Sequence, residues 1–126
     1  MNKSMELRYQ IESLHHVAVV RCSGRLVRGA ALEDLRLQIE RLEQARIILL
    51  DLSDVAQIDA GALGVLLQLR RWARNQAVLM KLVDPSPFVR RVLESTRLTS
   101  VFEISSLEEA LCILHGPDCS SHYAVA

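Results

Sequence analysis

Apolar residues along the chain fall into short runs that alternate with longer stretches of helical spacing. Runs rich in apolar residues over 5–11, 17–22, 46–52, 78–83 and 101–104 predict about five strands. Apolar positions three or four residues apart over 32–44, 59–75, 87–95 and 107–115 predict about four helices. The predicted order is ββαβαβαβα, and the first two strands, separated only by residues 14–16, form a hairpin. The pattern indicates an α/β fold with a mixed sheet in a single domain.

One strand and the helix start that follows it carry the most specific pattern. Ile47 to Leu50 are apolar throughout, as in a strand covered on both faces, and Asp51 and Ser53 are predicted to end it. After a loop, Asp59 is placed to cap the second helix, with Ile58 and Leu63 as a hydrophobic staple around the cap.

Two later helix starts have their own signals. Ser86 can cap the third helix with Pro87 at its first position. Ser106 and Glu109 have the spacing of a capping box for the fourth helix.

These residues resemble the STAS domains, the module shared by sulfate transporters and anti-sigma factor antagonists. In that family a DLS-like triplet ends the third strand, and an apolar residue, an Asp, usually Ser or Thr, small residues and LG then begin a long helix. The matching residues here are Asp51 to Ser53, Ile58, Asp59 and Gly61 to Gly64, and Ala60 fills the Ser or Thr position. The resemblance implies a STAS domain over 1–115, with 116–126 expected to be a flexible tail.

The family resemblance also implies how the chain acts. In the antagonists, a cognate anti-sigma kinase phosphorylates the hydroxyl at this position and the phosphate breaks the complex. Ala60 has no oxygen to modify. The resemblance therefore implies a non-enzymatic regulator that binds an anti-sigma factor or a related switch kinase and is not phosphorylated at the usual site. The alternatives are a STAS subunit of a lipid-transport ABC system and a STAS domain that binds a small molecule.

The outer face of the second helix is the expected docking site. A helical wheel places Ala60, Gly64, Gln68 and Arg71 on one side, where small residues allow another backbone to approach closely. The alternative is that Gly64 packs under the loop after the second strand. This loop runs from Gly24 to Gly29 and has the sequence GRLVRG, whereas many family members have GELD there. The residues expected to contact a partner are Arg25, Val27, Arg28, Asp59, Ala60, Gly61, Ala62, Leu63, Gly64, Leu67, Gln68 and Arg71.

The composition of the chain argues against nucleic-acid binding, membrane insertion and a disulfide-stabilised fold. The 126 residues suffice for one domain with an ordinary core, and 15 basic against 15 acidic residues give no overall charge that would attract nucleic acid. We find neither an export signal nor a long apolar run, so a cytoplasmic protein without membrane insertion is expected. A homodimer is compatible with these features. Three cysteines in a chain of this size argue against a disulfide scaffold.

Neither metal nor cofactor chemistry is expected. Asp51, Asp54 and Asp59 have simpler roles as strand-end and capping groups than as a magnesium cluster. The spacing of Cys112, His115, Cys119 and His122 is too compressed for a known zinc finger. The chain has no GxSxG, no glycine-rich phosphate loop and no HExxH, so no catalytic residues are assigned.

Overall fold

A computed structural model describes residues 5–115 of the chain. Five strands and four helices follow one another in the predicted order. Their bounds are β1 Arg8–Leu14, β2 Val17–Leu26, α1 Ala30–Glu40, β3 Ile47–Ile58, α2 Ala60–Asn75, β4 Leu79–Val83, α3 Pro87–Ser95, β5 Glu103–Ser105 and α4 Leu107–His115.

The five strands form one mixed sheet in the spatial order β1-β2-β3-β4-β5. β1 and β2 pair antiparallel as a hairpin, with His15 at a φ of 56° in the turn between them. The pairs β2–β3, β3–β4 and β4–β5 are all parallel, so each of these connections crosses over through a helix. The predicted α/β class with a mixed sheet is confirmed.

Helices cover the sheet on both faces. The larger core joins one face to α1, α2 and α3 through residues such as Leu35, Leu66 and Leu93, all at most 1% exposed. A smaller core on the other face joins Leu49 of β3 to Ala110 of α4. Ile48 and Leu50 belong to the larger core and Leu49 to the smaller one, which explains the continuous apolar run of β3.

Two strands are longer than predicted, and the correction affects the edge of the sheet next to the site. β3 does not end at Asp51 and Ser53 but continues to Ile58, and β2 continues through Gly24 to Leu26. The two extensions pair with each other from Ser23 with Asp54 to Leu26 with Ile58, with one register shift just before Ser23 and a second between Gly24 and Arg25. The predicted loop at 53–58 was wrong, and so was the first half of the predicted loop at 24–29, because backbone pairing holds polar residues in the ladder there; only 27–29 form a loop before α1.

Smaller differences affect other boundaries. β1 begins at Arg8 rather than at residue 5, and α1 ends at Glu40 rather than at residue 44. After α1 the chain turns so that the backbone N–H of Leu42 donates to the carbonyl of Ile39, and Leu42 packs against the core. The predicted capping of α3 and α4 is confirmed: Ser86 Oγ accepts from Val89, and Ser106 and Glu109 accept from each other's backbone N–H.

Gly24 marks a close approach between two backbone segments. Its φ of +87° is unfavourable for other residues, and a Cβ at this position would lie 2.2 Å from the carbonyl oxygen of Glu6. We predict that Gly24→Ala lowers the free energy of unfolding by at least about 2 kcal/mol in urea titrations. Gly64→Ala is the matched control, because a Cβ there meets no heavy atom within 4 Å. The control should stabilise the chain by about 0.5–1 kcal/mol. Equal effects would contradict this account of Gly24.

Candidate docking surface

The Asp59 carboxylate joins the start of α2 to the loop between β2 and α1. Its Oδ1 accepts from the backbone N–H of Ala62 at 2.8 Å, which caps α2 as predicted. Its Oδ2 accepts from the backbone N–H of Arg28 at 3.0 Å. The backbone N–H of Asp59 donates to the carbonyl of Leu26 at 3.3 Å. Two of these hydrogen bonds therefore hold the end of β2 and the loop after it against the start of α2, and the third caps the helix.

These contacts also shift the ionisation of Asp59. Partial burial raises the pKa of Asp59. The backbone hydrogen bonds from Arg28, Ala62 and Asp59 itself, together with the charge of Arg28, lower this pKa by a larger amount. The net pKa of Asp59 lies below the ordinary value for an aspartate. The folded state therefore favours the ionised carboxylate, which also suits the positive end of the α2 dipole.

The two glycines at the start of α2 have different surroundings. A Cβ on Gly61 would lie 2.9 Å from Cβ of Arg28, so the Arg28 stem packs directly over Gly61. Gly64, one turn along, faces open space. The packing role under the loop, considered above for Gly64, therefore belongs to Gly61, and Gly64 leaves the α2 backbone open to approach from outside.

The exposed residues around these glycines define a surface that we call the α2 surface. Ala60, Gly64, Leu67 and Gln68 are exposed along one side of the helix, and three arginines with one asparagine complete it. Leu67 is 37% exposed although it is large and apolar. The α2 surface comprises Arg28, Ala60, Gly64, Leu67, Gln68, Arg71, Arg74 and Asn75.

Two residues of the predicted contact set are buried. Ala62 is 0% exposed and Leu63 is 9% exposed, because both face the sheet and belong to the larger core. Leu63 shares that core with Ile58, as expected for the predicted staple. These two residues stabilise the position of α2 and have almost no surface for a partner to contact.

The remaining predicted contacts differ in exposure. Arg28 is exposed, whereas Arg25, Val27, Asp59 and Gly61 are half-buried. Within the described part of the chain, the Nε atom of Arg25 is buried without a hydrogen-bond partner. Arg25 lies in β2, paired with Gln57 of β3, and is not a loop residue as the sequence suggested.

Sequence reasoning missed two features near this surface. Arg74 is exposed on the same side of α2 as Arg71. Its position three residues after Arg71 on the helix was sufficient to predict this exposure from the sequence. Ser86 also does more than cap α3, because its Oγ donates to the carbonyl of Val55 at 2.6 Å and its backbone N–H donates to the carbonyl of Leu52. These bonds tie the start of α3 to the middle of β3, and no local sequence pattern indicates them.

Metal ligands do not converge in the part of the chain that the structure covers. No group of three or more His, Cys, Asp or Glu residues is placed to hold a metal ion among residues 5–112. Asp51 uses its Oδ1 to accept from the backbone N–H and the hydroxyl of Ser53. Cys119 and His122 of the spacing considered above lie outside the described residues, as does the predicted tail.

A cleft of about 700 Å³ lies between β1 and α1 and is the place to consider for the alternative hypothesis of a STAS domain that binds a small molecule. The hydroxyl of Tyr9 donates to Asp34 there, and this hydrogen bond, with burial, raises the pKa of Tyr9 to about 12. Burial, with a contribution from Asp51, raises the pKa of the Cys22 thiol on the cleft wall to about 12. Both shifts favour the neutral forms of these two groups. Among the described helices, none combines the length and apolar character that a bilayer crossing requires.

Comparison with known proteins agrees with this architecture. The family model described as STAS domain matches residues 8–110. No curated protein matches the chain. The chain is 25% identical to the anti-sigma factor antagonist SpoIIAA of Bacillus in its unphosphorylated form, with a TM-score of 0.72 over 86% of this chain and 97% of that chain.

Two further solved structures share the fold. An anti-sigma factor antagonist from Mycobacterium paratuberculosis is 21% identical, with a TM-score of 0.68 over 88% of this chain and 96% of that chain. SLC26A9 is 13% identical, with a TM-score of 0.62 over 90% of this chain but only 21% of that chain. At these identities both likenesses concern the fold alone.

The lowered pKa of Asp59 predicts a pH-dependent contribution to stability. A carboxylate whose folded pKa is depressed stabilises the fold above its unfolded pKa, near 3.9, and this stabilisation is lost as the pH falls through the folded pKa. Asp59→Asn should lower the free energy of unfolding by about 1 kcal/mol at pH 7, and the difference from the parent should shrink below about pH 4. Urea titrations across this range measure it. A difference independent of pH would contradict the assignment.

Proposed function

The chain belongs to the STAS domain family, and we propose that it acts as a non-enzymatic regulator that binds a protein partner through the α2 surface. The observation that carries this proposal is the exposed Gly64, which has open space beside it in the second turn of α2. A glycine in a helix interior costs stability of about 1 kcal/mol relative to alanine, and no packing within the domain requires it here. The close approach of a partner to the α2 backbone would explain why a glycine occupies position 64.

The proposed partner is an anti-sigma factor or a related switch kinase in the cytoplasm. The likeness to SpoIIAA over nearly the full length of both chains supports this class, because that protein is an anti-sigma factor antagonist. Ala60, the first residue of α2, is exposed beside the Asp59 cap and corresponds in the proposal to the usual phosphoacceptor. Control of the complex would then come from the partner, since Ala60 offers no hydroxyl.

Gly64→Arg tests the docking role directly. The long cation would occupy the space that a partner backbone needs, so affinity for the partner should fall at least tenfold, which is about 1.4 kcal/mol. The melting temperature should not fall, because Gly64 is exposed and arginine is the better helix former. The measurement is affinity capture from an extract of the source organism, identification of the bound protein, and titration calorimetry with it.

Thr99→Arg is the control for that experiment. Thr99 is exposed in the turn after α3, outside the α2 surface, so the same added charge should leave capture unchanged. If Gly64→Arg binds the partner as tightly as the control does, the α2 surface is not the docking site. A lower melting temperature for Gly64→Arg alone would contradict the exposure of Gly64.

Two substitutions of Ala60 test the proposed loss of the switch. Ala60→Ser should keep partner affinity and, with the kinase and ATP, gain phosphate at the new hydroxyl, which then weakens binding. Ala60→Asp should weaken binding without any kinase, because it places a charge in a desolvated contact. The folded domain should tolerate that aspartate, since a negative charge at a helix start stabilises it by about 0.3–1 kcal/mol. Parent-like affinity of Ala60→Asp would contradict a role of this turn in docking.

A further inference from the structure

Positive charge is concentrated on the α2 surface of a chain that is neutral as a whole. The chain has 15 basic and 15 acidic residues, yet α2 contains three arginines and neither Asp nor Glu. Arg71 and Arg74 are exposed near its C-terminal end, and Arg28 is exposed over its first turn. The partially buried carboxylate of Asp59 is already engaged by backbone N–H groups.

Arg71 and Arg74 form no ion pair within the part of the chain that the structure describes, and Arg28 forms none there either, although its charge is near enough to lower the pKa of Asp59. The ion pairs found there join Arg21 to Glu12, Arg36 to Glu33 and Glu40, and Lys81 to Glu103. Arg71 and Arg74 lie three residues apart on one helix, a spacing at which like charges destabilise a helix slightly. The helix dipole favours Arg74 in the last turn, but it gives no such reason for Arg71 or Arg28.

An apolar centre separates the two groups of cations. Ala60, Gly64 and Leu67 lie along one side of α2, with Arg28 at one end of the row and Arg71 and Arg74 at the other. The helix rises about 10 Å between Gly64 and Arg71. The α2 surface therefore has a small, mostly apolar centre, which also contains Gln68, and positive charge at both ends.

We propose that the α2 surface selects a protein partner that presents acidic side chains at both ends of a small-residue apolar contact. This inference rests on the binding role proposed above and specifies the chemistry of the partner. A nucleic acid is the less suitable occupant, because its phosphates would leave the apolar centre without a matching group. Acidic side chains near the rim of a protein interface would instead steer association and discriminate against basic competitors.

Two designed helical peptides test this charge preference without knowledge of the native partner. Each has about 18 residues, or five turns, with a stripe of alanine flanked at both ends by glutamate in one peptide and by glutamine in the other. The isotopically labelled full chain is titrated with each peptide, and amide chemical shifts report the site and the affinity. The titrations are repeated at ionic strengths of about 0.01 M and 0.15 M, where the screening length falls from about 30 to 8 Å.

We expect the shifts to cluster at Arg28 and along α2, with affinity for the glutamate peptide at least about fivefold higher at the lower ionic strength. The double substitution Arg71→Glu and Arg74→Glu should abolish this preference. Arg90→Glu with Arg91→Glu is the matched control, because both arginines are exposed on α3 instead. The control should retain the preference of the parent.

Equal affinity for both peptides, absence of binding by either, or shifts located elsewhere would overturn the proposal. A 20-nucleotide RNA or phosphatidylserine vesicles that bind through the same arginines more tightly than the glutamate peptide would also overturn the proposal. This result would show that the arginines recognise a polyanion instead of a protein. If the peptides show no preference while Gly64→Arg still blocks capture of the native partner, the docking role stands and only the partner chemistry is wrong. If Gly64→Arg leaves capture unchanged, the docking role itself fails.

Discussion

The geometry of the α2 surface depends on the two oxygens of Asp59. One caps α2 at Ala62 and the other holds the backbone of Arg28, so a single carboxylate connects segments 31 residues apart. Without it, two backbone N–H groups would lose their partners, and such groups are costly to leave unsatisfied when they are shielded from water. The position of the Arg28 stem over Gly61 follows from this connection. Asp59 therefore positions the loop after β2 and the start of α2, which form one end of the α2 surface.

The two faces of α2 have separate physical roles. The inner face, with Ala62, Leu66 and Leu69, is almost completely buried and fixes the helix on the sheet. Burial of each leucine contributes about 1.5–3 kcal/mol, which is enough to hold a helix that has an unsupported glycine on its outer face. The local preference of the sequence is therefore violated at Gly64, where packing within the domain does not require the glycine. Such violations are expected at functional positions.

The sequence predicts the order of elements and the caps well because both signals are local. Periodic apolar positions and capping residues such as Asp59 and Ser86 are set within one or two helical turns. The extensions of β2 and β3 were not predictable in this way, because polar residues such as Asp54 enter the ladder only through pairing with a distant strand. The same limit applies to the glycines. Whether Gly61 or Gly64 packs under the loop depends on where Arg28 lies, and the Asp59 connection determines that position.

A charge on the outer face of α2 has opposite consequences for the fold and for a complex. At the start of the helix, a negative charge interacts favourably with the dipole, so the isolated domain should tolerate it. In a complex, the same charge must lose its water in an apolar contact, which is unfavourable unless the partner supplies a positive group. Recognition can therefore change at Ala60 or Arg71 with little effect on folding, because neither side chain belongs to the core. In the proposed complex, this separation would allow the chemistry of the α2 surface to change while the sheet and the helices of the domain stay the same.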